Sequence, residues 1–138
     1  MNNNDAERVV QRLSAVCKKY HDVCEWQSKR NQFRLKGWES DAHVRLQFGR
    51  DVAFSLYVMQ KVKPQVRKEF KKRLTDGAKI GNLIVQYPIR ERNKYNGVVI
   101  RFVSPIAPRD FLHSLDEISK QADILLEKLC EMQKDIMF

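Results

Sequence analysis

Residues 44–58 read VRLQFGRDVAFSLYV, and this stretch decides the fold class. Apolar residues occupy every second position on both sides of a short break, at Val44, Leu46, Phe48, Val52, Phe54, Leu56 and Val58. A period of two is typical of strands that bury one face. Because the break, Gly49-Arg50-Asp51, is a tight connection, the stretch predicts two antiparallel strands.

The same alternation extends the sheet in both directions. Upstream, Phe33 and Leu35 predict one more strand, which completes a three-stranded antiparallel meander. Downstream, two strands are predicted on either side of Asn96-Gly97, a pair that strongly favours a hairpin turn. Their apolar positions are Leu83, Val85, Tyr87 and Ile89 in one strand and Val98, Ile100 and Phe102 in the other. We therefore expect a five-stranded, mainly antiparallel sheet.

Three helices are predicted around this sheet. The first runs from about Asp5 to about Asp22, because apolar residues recur there at helical spacing. The second starts at Pro64, which suits a first helical turn, and ends near Gly77. The last is long and runs nearly to Phe138. The resulting order, α-βββ-α-ββ-α, is that of an α+β fold.

Composition limits the class of protein. The 138 residues are 43% hydrophobic and 31% charged, as expected for one folded domain over residues 1–138. No apolar run reaches the roughly 18 residues of a membrane span, and the first residues do not read as a secretory signal. Three cysteines in a lysine-rich chain are typical of a reducing compartment. A cytoplasmic protein whose cysteines are thiols is expected.

Positive charge is concentrated in the middle of the chain. The sequence has 26 Lys plus Arg against 17 Asp plus Glu, a formal net charge of +9. Residues 61–101 hold 12 basic and 3 acidic side chains, whereas residues 102–138 hold 4 and 7. Such a segment attracts polyanions, because lysines and arginines that neutralise phosphates release bound counterions. Nucleic acid, DNA or RNA, or an acidic protein is the expected partner.

The predicted nucleic-acid-binding residues fall into three groups, on outward strand positions, on the second helix and on the final hairpin. In that order they are Arg34, Lys36, Arg45 and Arg101; Arg67, Lys68, Lys71 and Lys72; and Arg90, Arg92 and Lys94. The outward strand positions also carry the polar residues Gln32, His43 and Gln47. The third group forms either an arm that follows a phosphate backbone or an ordinary charged loop. Nearby aromatic residues either stack on unpaired bases or belong to the core, namely Trp26, Trp38, Tyr57 and Tyr95.

The last helix carries a heptad pattern. Its apolar positions are spaced alternately by four and three residues, at Phe111, Leu115, Ile118, Ala122, Leu125, Leu129, Met132 and Ile136. Leu112, Leu126 and Cys130 widen this stripe. The stripe either covers the chain's own sheet or also meets a second subunit, in which case Leu112, Leu126 and Met132 form the dimer interface.

No metal, cofactor or catalytic site is predicted. Cys17, His21 and Cys24 lie along one side of the first helix and, with Cys130 or His113, have the donor types of a zinc site. The competing interpretation, that the two cysteines continue the apolar stripe, is favoured because the usual short spacing of zinc-binding cysteine pairs is absent. Phosphate-binding glycine loops and hydrolase motifs are also absent.

The element order resembles the core of restriction-type nucleases over its α-βββ-α-β part. Metal-dependent cleavage in that family needs acidic residues on the second and third strands. Here the third strand ends in Met59-Gln60-Lys61, and the second carries Arg45 and Gln47. The resemblance therefore implies a protein without catalysis.

Two functional hypotheses follow. The first is a non-catalytic module that contacts the nucleic-acid backbone through the cationic helix and the sheet face. The second is a small dimeric protein-binding adaptor, since the whole order of elements is similar to that of the dimeric chaperones of type III secretion. An accessory factor of a phage or plasmid fits either hypothesis.

Overall fold

The computed structural model describes residues 3–20, 24–27, 32–35, 42–58, 64–74, 80–86 and 98–135. The helices in these ranges are α1 (Asn3–Lys18), α2 (Pro64–Leu74), a short 3-10 helix (Pro108–His113) and α3 (Leu115–Asp135). The strands are β1 (Cys24–Gln27), β2 (Gln32–Leu35), β3 (Ala42–Phe48), β4 (Val52–Val58), β5 (Ile84–Gln86) and β6 (Val98–Val103).

The described strands form one antiparallel sheet in the order β1-β2-β3-β4-β6-β5. The α+β class, the antiparallel sheet and the long C-terminal helix are confirmed, but the sheet has six strands where five were predicted. The additional strand is β1, in which Cys24 pairs with Leu35 and Trp26 with Phe33. Cys24 was predicted to continue the stripe of the first helix, because a four-residue strand is too short for its alternation to compete with a longer helical pattern.

Helix boundaries also differ from the predictions. The first helix ends at Lys18, earlier than the predicted Asp22. The described part of α2 is Pro64–Leu74, and its predicted end near Gly77 stays a prediction. The C-terminal segment is two helices, since a 3-10 helix starting at Pro108 precedes α3, with Ser114 between them. Asp22, Gly77 and the predicted turn Asn96-Gly97 lie outside the described residues.

The core lies on one face of the sheet, beneath α1 and α3. Phe54, Leu56, Ile100 and Phe102 are fully buried there, at the alternate strand positions that the sequence predicts. Leu13 of α1 belongs to the same cluster. Each alternate position removes a large apolar side chain from water, and burial of one such side chain contributes about 1.5–3 kcal/mol.

The heptad stripe of the last helix covers the chain's own core. Its described members are all buried, namely Phe111, Leu115, Ile118, Ala122, Leu125, Leu129 and Met132. Leu126 is also buried, and Leu112 is half-buried and packs against the same cluster. Leu126 and Met132 therefore expose no surface to a second subunit, which corrects the predicted placement of the dimer interface. The stripe is wide because α3 packs on α1 as well as over the sheet.

Polar contacts fix α1 against α3. Arg12 of α1 forms an ion pair with Asp116 of α3, and Arg8 donates a hydrogen bond to the carbonyl oxygen of Leu112 in the preceding 3-10 helix. Just beyond the end of α1, Lys19 Nζ lies 2.7 Å from Asp123 Oδ2 of α3. In each hydrogen bond the two residues are 103 or 104 positions apart in the sequence. Residues later in the first segment therefore contact residues later in the second segment. The two helices are therefore parallel.

The contact at Asp123 joins three titratable groups, of which Lys19 is exposed and Tyr20 and Asp123 are half-buried. Tyr20 donates its hydroxyl hydrogen to Asp123, and Lys19 donates to the other carboxylate oxygen. Burial raises the pKa of Tyr20 above its ordinary value, and the hydrogen bond to Asp123 adds to this shift. Burial opposes ionisation of Asp123, but the hydrogen bonds from Lys19 and Tyr20 and the charge of Lys19 outweigh it, so the pKa of Asp123 is lowered.

Gly81 adopts a left-handed backbone conformation where the chain passes α3 before β5 begins. Its φ is +57°, and a Cβ placed there would lie 3.4 Å from Gln121 Cα and 3.5 Å from Ile124 Cδ1. Glycine adopts this left-handed conformation without the steric cost that a Cβ imposes. Gly49, between β3 and β4, has no such constraint, since a Cβ there would have no neighbour within 4 Å.

We expect Gly81→Ala to lower the free energy of unfolding by about 1–2 kcal/mol, because a residue with a Cβ is strained at this positive φ. Gly49→Ala is the matched control and should change the same quantity by less than about 0.5 kcal/mol. Urea unfolding followed by circular dichroism measures both. Equal effects of the two substitutions would contradict the role given to Gly81.

We expect Asp123→Asn to lower the free energy of unfolding by about 1 kcal/mol at neutral pH, because the charged acceptor of Tyr20 and Lys19 is lost. The folded pKa of Asp123 is lowered from 3.8, so its contribution is fully present above that value and disappears as the pH falls through the folded pKa. The difference between wild type and variant should therefore shrink in urea unfolding below about pH 4. Glu117→Gln, at an exposed position of the same helix, is the control and should show no such convergence.

Candidate nucleic-acid interface

The strand register assembles the face of the sheet that points away from α1 and α3. Cross-strand pairs join Gln32 to Arg45, Arg45 to Ser55, Ser55 to Arg101 and Arg101 to Gln86. These pairs form one polar row, and Gln27 completes it beside Gln32 on the edge strand β1. The predicted residues Arg34, Arg45 and Arg101 therefore share one face, as the parity of the strands required.

A second row on this face places an arginine beside two aromatic rings. Arg34 pairs with His43 across β2 and β3, and His43 pairs with Tyr57 across β3 and β4. The rings of His43 and Tyr57 are stacked, with centroids 5.1 Å apart and an angle of 25° between their planes. Arg45 Cζ lies 5.8 Å from the centroid of the Tyr57 ring, which is within the range of a cation–π interaction.

Hydrogen bonds hold Tyr57 in this position. Gln47 donates from Nε2 to the Tyr57 hydroxyl oxygen at 3.1 Å, and Ser55 donates from Oγ to Gln47 Oε1 at 2.7 Å. Because Gln47 is fixed at both ends of its amide, it orients the phenol ring between His43 and Arg45. We name the group Arg34, His43, Arg45 and Tyr57 the arginine–aromatic cluster.

Exposure differs along this face. Arg34 is exposed, and the other three members of the arginine–aromatic cluster are half-buried. Ala53, Ser55 and Val103 point to the same side but are buried. Gln32 on β2 is buried as well, whereas Ile84 and Gln86 on β5 are exposed. Within the arginine–aromatic cluster, Arg34 is the member most accessible to a partner.

The arginines of this face differ in their acidic neighbours. Arg101 Nη1 lies 3.4 Å from Asp51 Oδ2 and 3.2 Å from Gln86 Oε1, so a carboxylate offsets its charge. For Arg34 and Arg45 no ion pair is found among the residues that the structure describes, although Glu25 is the cross-strand neighbour of Arg34. The charge of the face is thus concentrated in the arginine–aromatic cluster and weakened at Arg101.

The second predicted group lies on α2, an element separate from the sheet. Lys68 and Lys72 are exposed there, and Glu69 forms an ion pair of 3.1 Å with Arg73. Arg67 and Lys71 are also residues of this helix. Lys36, Arg90, Arg92 and Lys94 lie outside the described residues, as do Trp38 and Tyr95.

Two further candidates from the sequence have a structural role. Trp26 packs against Phe33 of the core, with ring centroids 4.8 Å apart, so it belongs with the partly buried residues and not with base-stacking side chains. Cys17 and Cys24 are buried against each other, whereas His21 lies outside the described residues. Among the residues described, no group of three or more His, Cys, Asp or Glu side chains is arranged to hold a metal ion.

Gln47 and Tyr57 were predicted near the outward face, but the hydrogen bonds that organise the cluster were not predicted. The hydrogen bonds of Gln47 to Tyr57 and Ser55 depend on the register between β3 and β4, and alternation alone does not specify which outward residues become neighbours. The only sequence signal was that Gln47 and Tyr57 occupy outward positions on adjacent strands.

None of the described helices is long and apolar enough to cross a membrane. Comparison of the chain with protein-family models, with curated proteins and with solved structures found no match.

Proposed function

We propose that this protein is a non-catalytic module that binds the backbone of nucleic acid, with the arginine–aromatic cluster as the centre of its binding surface. The observation that carries the proposal is the placement of Arg34 and Arg45 beside the stacked rings of His43 and Tyr57. The formal net charge of +9 supports a polyanionic partner.

The chemistry of the cluster suits nucleic acid. A guanidinium group matches the geometry of a phosphate and forms two parallel hydrogen bonds with it. Aromatic rings beside such groups provide surfaces for bases that are not paired. Arg34 is exposed, so its guanidinium group is accessible to a phosphate.

In this proposal the lysines of α2 supply additional phosphate contacts. Lys68 and Lys72 are exposed, and acidic residues are few in the segment 61–101. Such contacts raise affinity without reading sequence, since phosphates are the same at every position. We therefore expect binding that depends strongly on salt and weakly on base sequence.

The first test is binding of fluorescent single-stranded and duplex oligonucleotides at several salt concentrations, measured by anisotropy. Affinity should fall steeply as salt rises, with a slope of about 0.7–0.9 logarithmic units for each phosphate engaged. Absence of binding to either probe at low salt would overturn the proposal.

We expect Arg34→Gln to weaken binding roughly fivefold near 0.1 M salt and to reduce the salt slope by about one phosphate contact. Lys120→Gln is the matched control, because it removes one positive charge from an exposed position on α3, across the core from the cluster. A loss of affinity that is the same in both variants would show that only net charge matters, which contradicts a defined surface. Urea unfolding of each variant checks that the fold is retained.

We expect the double variant Lys68→Gln, Lys72→Gln to lower affinity for every probe by a similar factor and to reduce the salt slope by about two contacts. The measurement is the same anisotropy titration, with Lys120→Gln, Lys128→Gln as the control that removes two charges from α3. If the α2 variant binds as tightly as wild type, α2 is excluded from the interface.

A further inference from the structure

Cys17 and Cys24 bring two sulfur atoms together inside the protein. Their Sγ atoms are 2.9 Å apart, and both side chains are buried, with 6% and 2% of their surfaces exposed. A disulfide bond has an S–S length of about 2.05 Å, so the sulfurs need to approach by less than about 1 Å to form one. The distance between the two sulfur atoms is therefore close to a bond length.

The two residues belong to different elements. Cys17 lies in the last turn of α1, and Cys24 is the first residue of the edge strand β1. The backbone also connects these ends, since the Cys24 amide donates to the Tyr20 carbonyl oxygen at 2.8 Å. Because backbone hydrogen bonds and core packing on both sides hold the two ends, the sulfurs meet without a large rearrangement.

We propose that Cys17 and Cys24 form a reversible intrachain disulfide by thiol–disulfide exchange with a low-molecular-weight disulfide such as oxidised glutathione. The thiolate of one cysteine attacks the oxidant, forms a mixed disulfide and releases one reduced thiol. The thiolate of the second cysteine then attacks the protein sulfur of that mixed disulfide and releases the other reduced thiol. The protein loses two protons and two electrons, and the oxidant gains them.

Burial slows the first step but does not prevent it. Ends of helices and short edge strands open locally at lower cost than the centre of a core. Cys17 is one residue from the end of α1, and β1 is a four-residue strand with one neighbour in the sheet. Once the mixed disulfide has formed, reclosure of the fold brings the second sulfur to it.

The bond should stabilise the folded chain. A disulfide whose geometry fits the native state restricts the unfolded chain more than the folded one. By linkage, the equilibrium constant for oxidation must then be larger in the folded chain than in the unfolded chain, by the same factor as the increase in stability. The ratio of the two oxidation constants therefore distinguishes two cases. It exceeds one if the fold favours the bond, and it is about one if the bond forms only because the cysteines are close in sequence.

The experiment uses the full chain carrying Cys130→Ala, so that the pair is the only source of thiols. The chain is equilibrated with mixtures of reduced and oxidised glutathione, in buffer and in concentrated urea, then quenched with acid and analysed by mass spectrometry. We expect a species lighter by two hydrogens, with an oxidation constant at least about tenfold larger in buffer, equivalent to about 1.4 kcal/mol. The urea midpoint of the oxidised chain should rise accordingly.

The single variants Cys17→Ala and Cys24→Ala in the same background are the controls, and each should stop at the mixed disulfide with one attached glutathione. For the chain that keeps both Cys17 and Cys24, three results would overturn the proposal. They are a stable mixed disulfide, a disulfide between two chains, and an oxidation constant no larger in buffer than in urea. The comparison needs only the chain with both cysteines, so the test holds even if a control variant folds poorly.

Discussion

The apolar layer between the sheet and the helices α1 and α3 is the constraint on which the rest of the structure depends. Strand side chains alternate between two faces, so once Phe54, Leu56, Ile100 and Phe102 are buried, every other residue of their strands must point the opposite way. A slip of one residue would expose the core residues and bury arginines. The position of each outward side chain is therefore a consequence of inward burial.

The burial of the inward residues determines which side chains are neighbours on the outward face. Arg34, His43, Arg45 and Tyr57 come from three strands and are neighbours only because the register of the core fixes those strands against one another. Gln47 and Ser55 then hold Tyr57 between a stacked histidine and an arginine. Side chains that are held in place before binding lose less conformational entropy on binding, which favours the proposed role of this face.

Parallel packing of α1 and α3 explains why the heptad stripe of the last helix is wider than a coiled-coil seam. The described part of the stripe, including Leu126, belongs to the core cluster that also contains residues of α1 and of the sheet, and α3 packs on α1. A stripe that served one surface would need fewer apolar positions. At the end of α1, the backbone hydrogen bond from Cys24 to Tyr20 connects the helix to β1, where Cys17 meets Cys24.

The sequence by itself determined the α+β class, the antiparallel sheet, the parity of its strands and hence which arginines share the outward face. These properties depend on local periodicity, and a period of 2 or of 3.6 residues can be recognised in a short stretch of sequence. The end of α1, the sixth strand and the burial of Leu126 and Met132 required the tertiary structure. So did the contact of Cys17 with Cys24 and the hydrogen bonds of Gln47, because each joins residues whose proximity is set by packing between elements and not by their spacing along the chain.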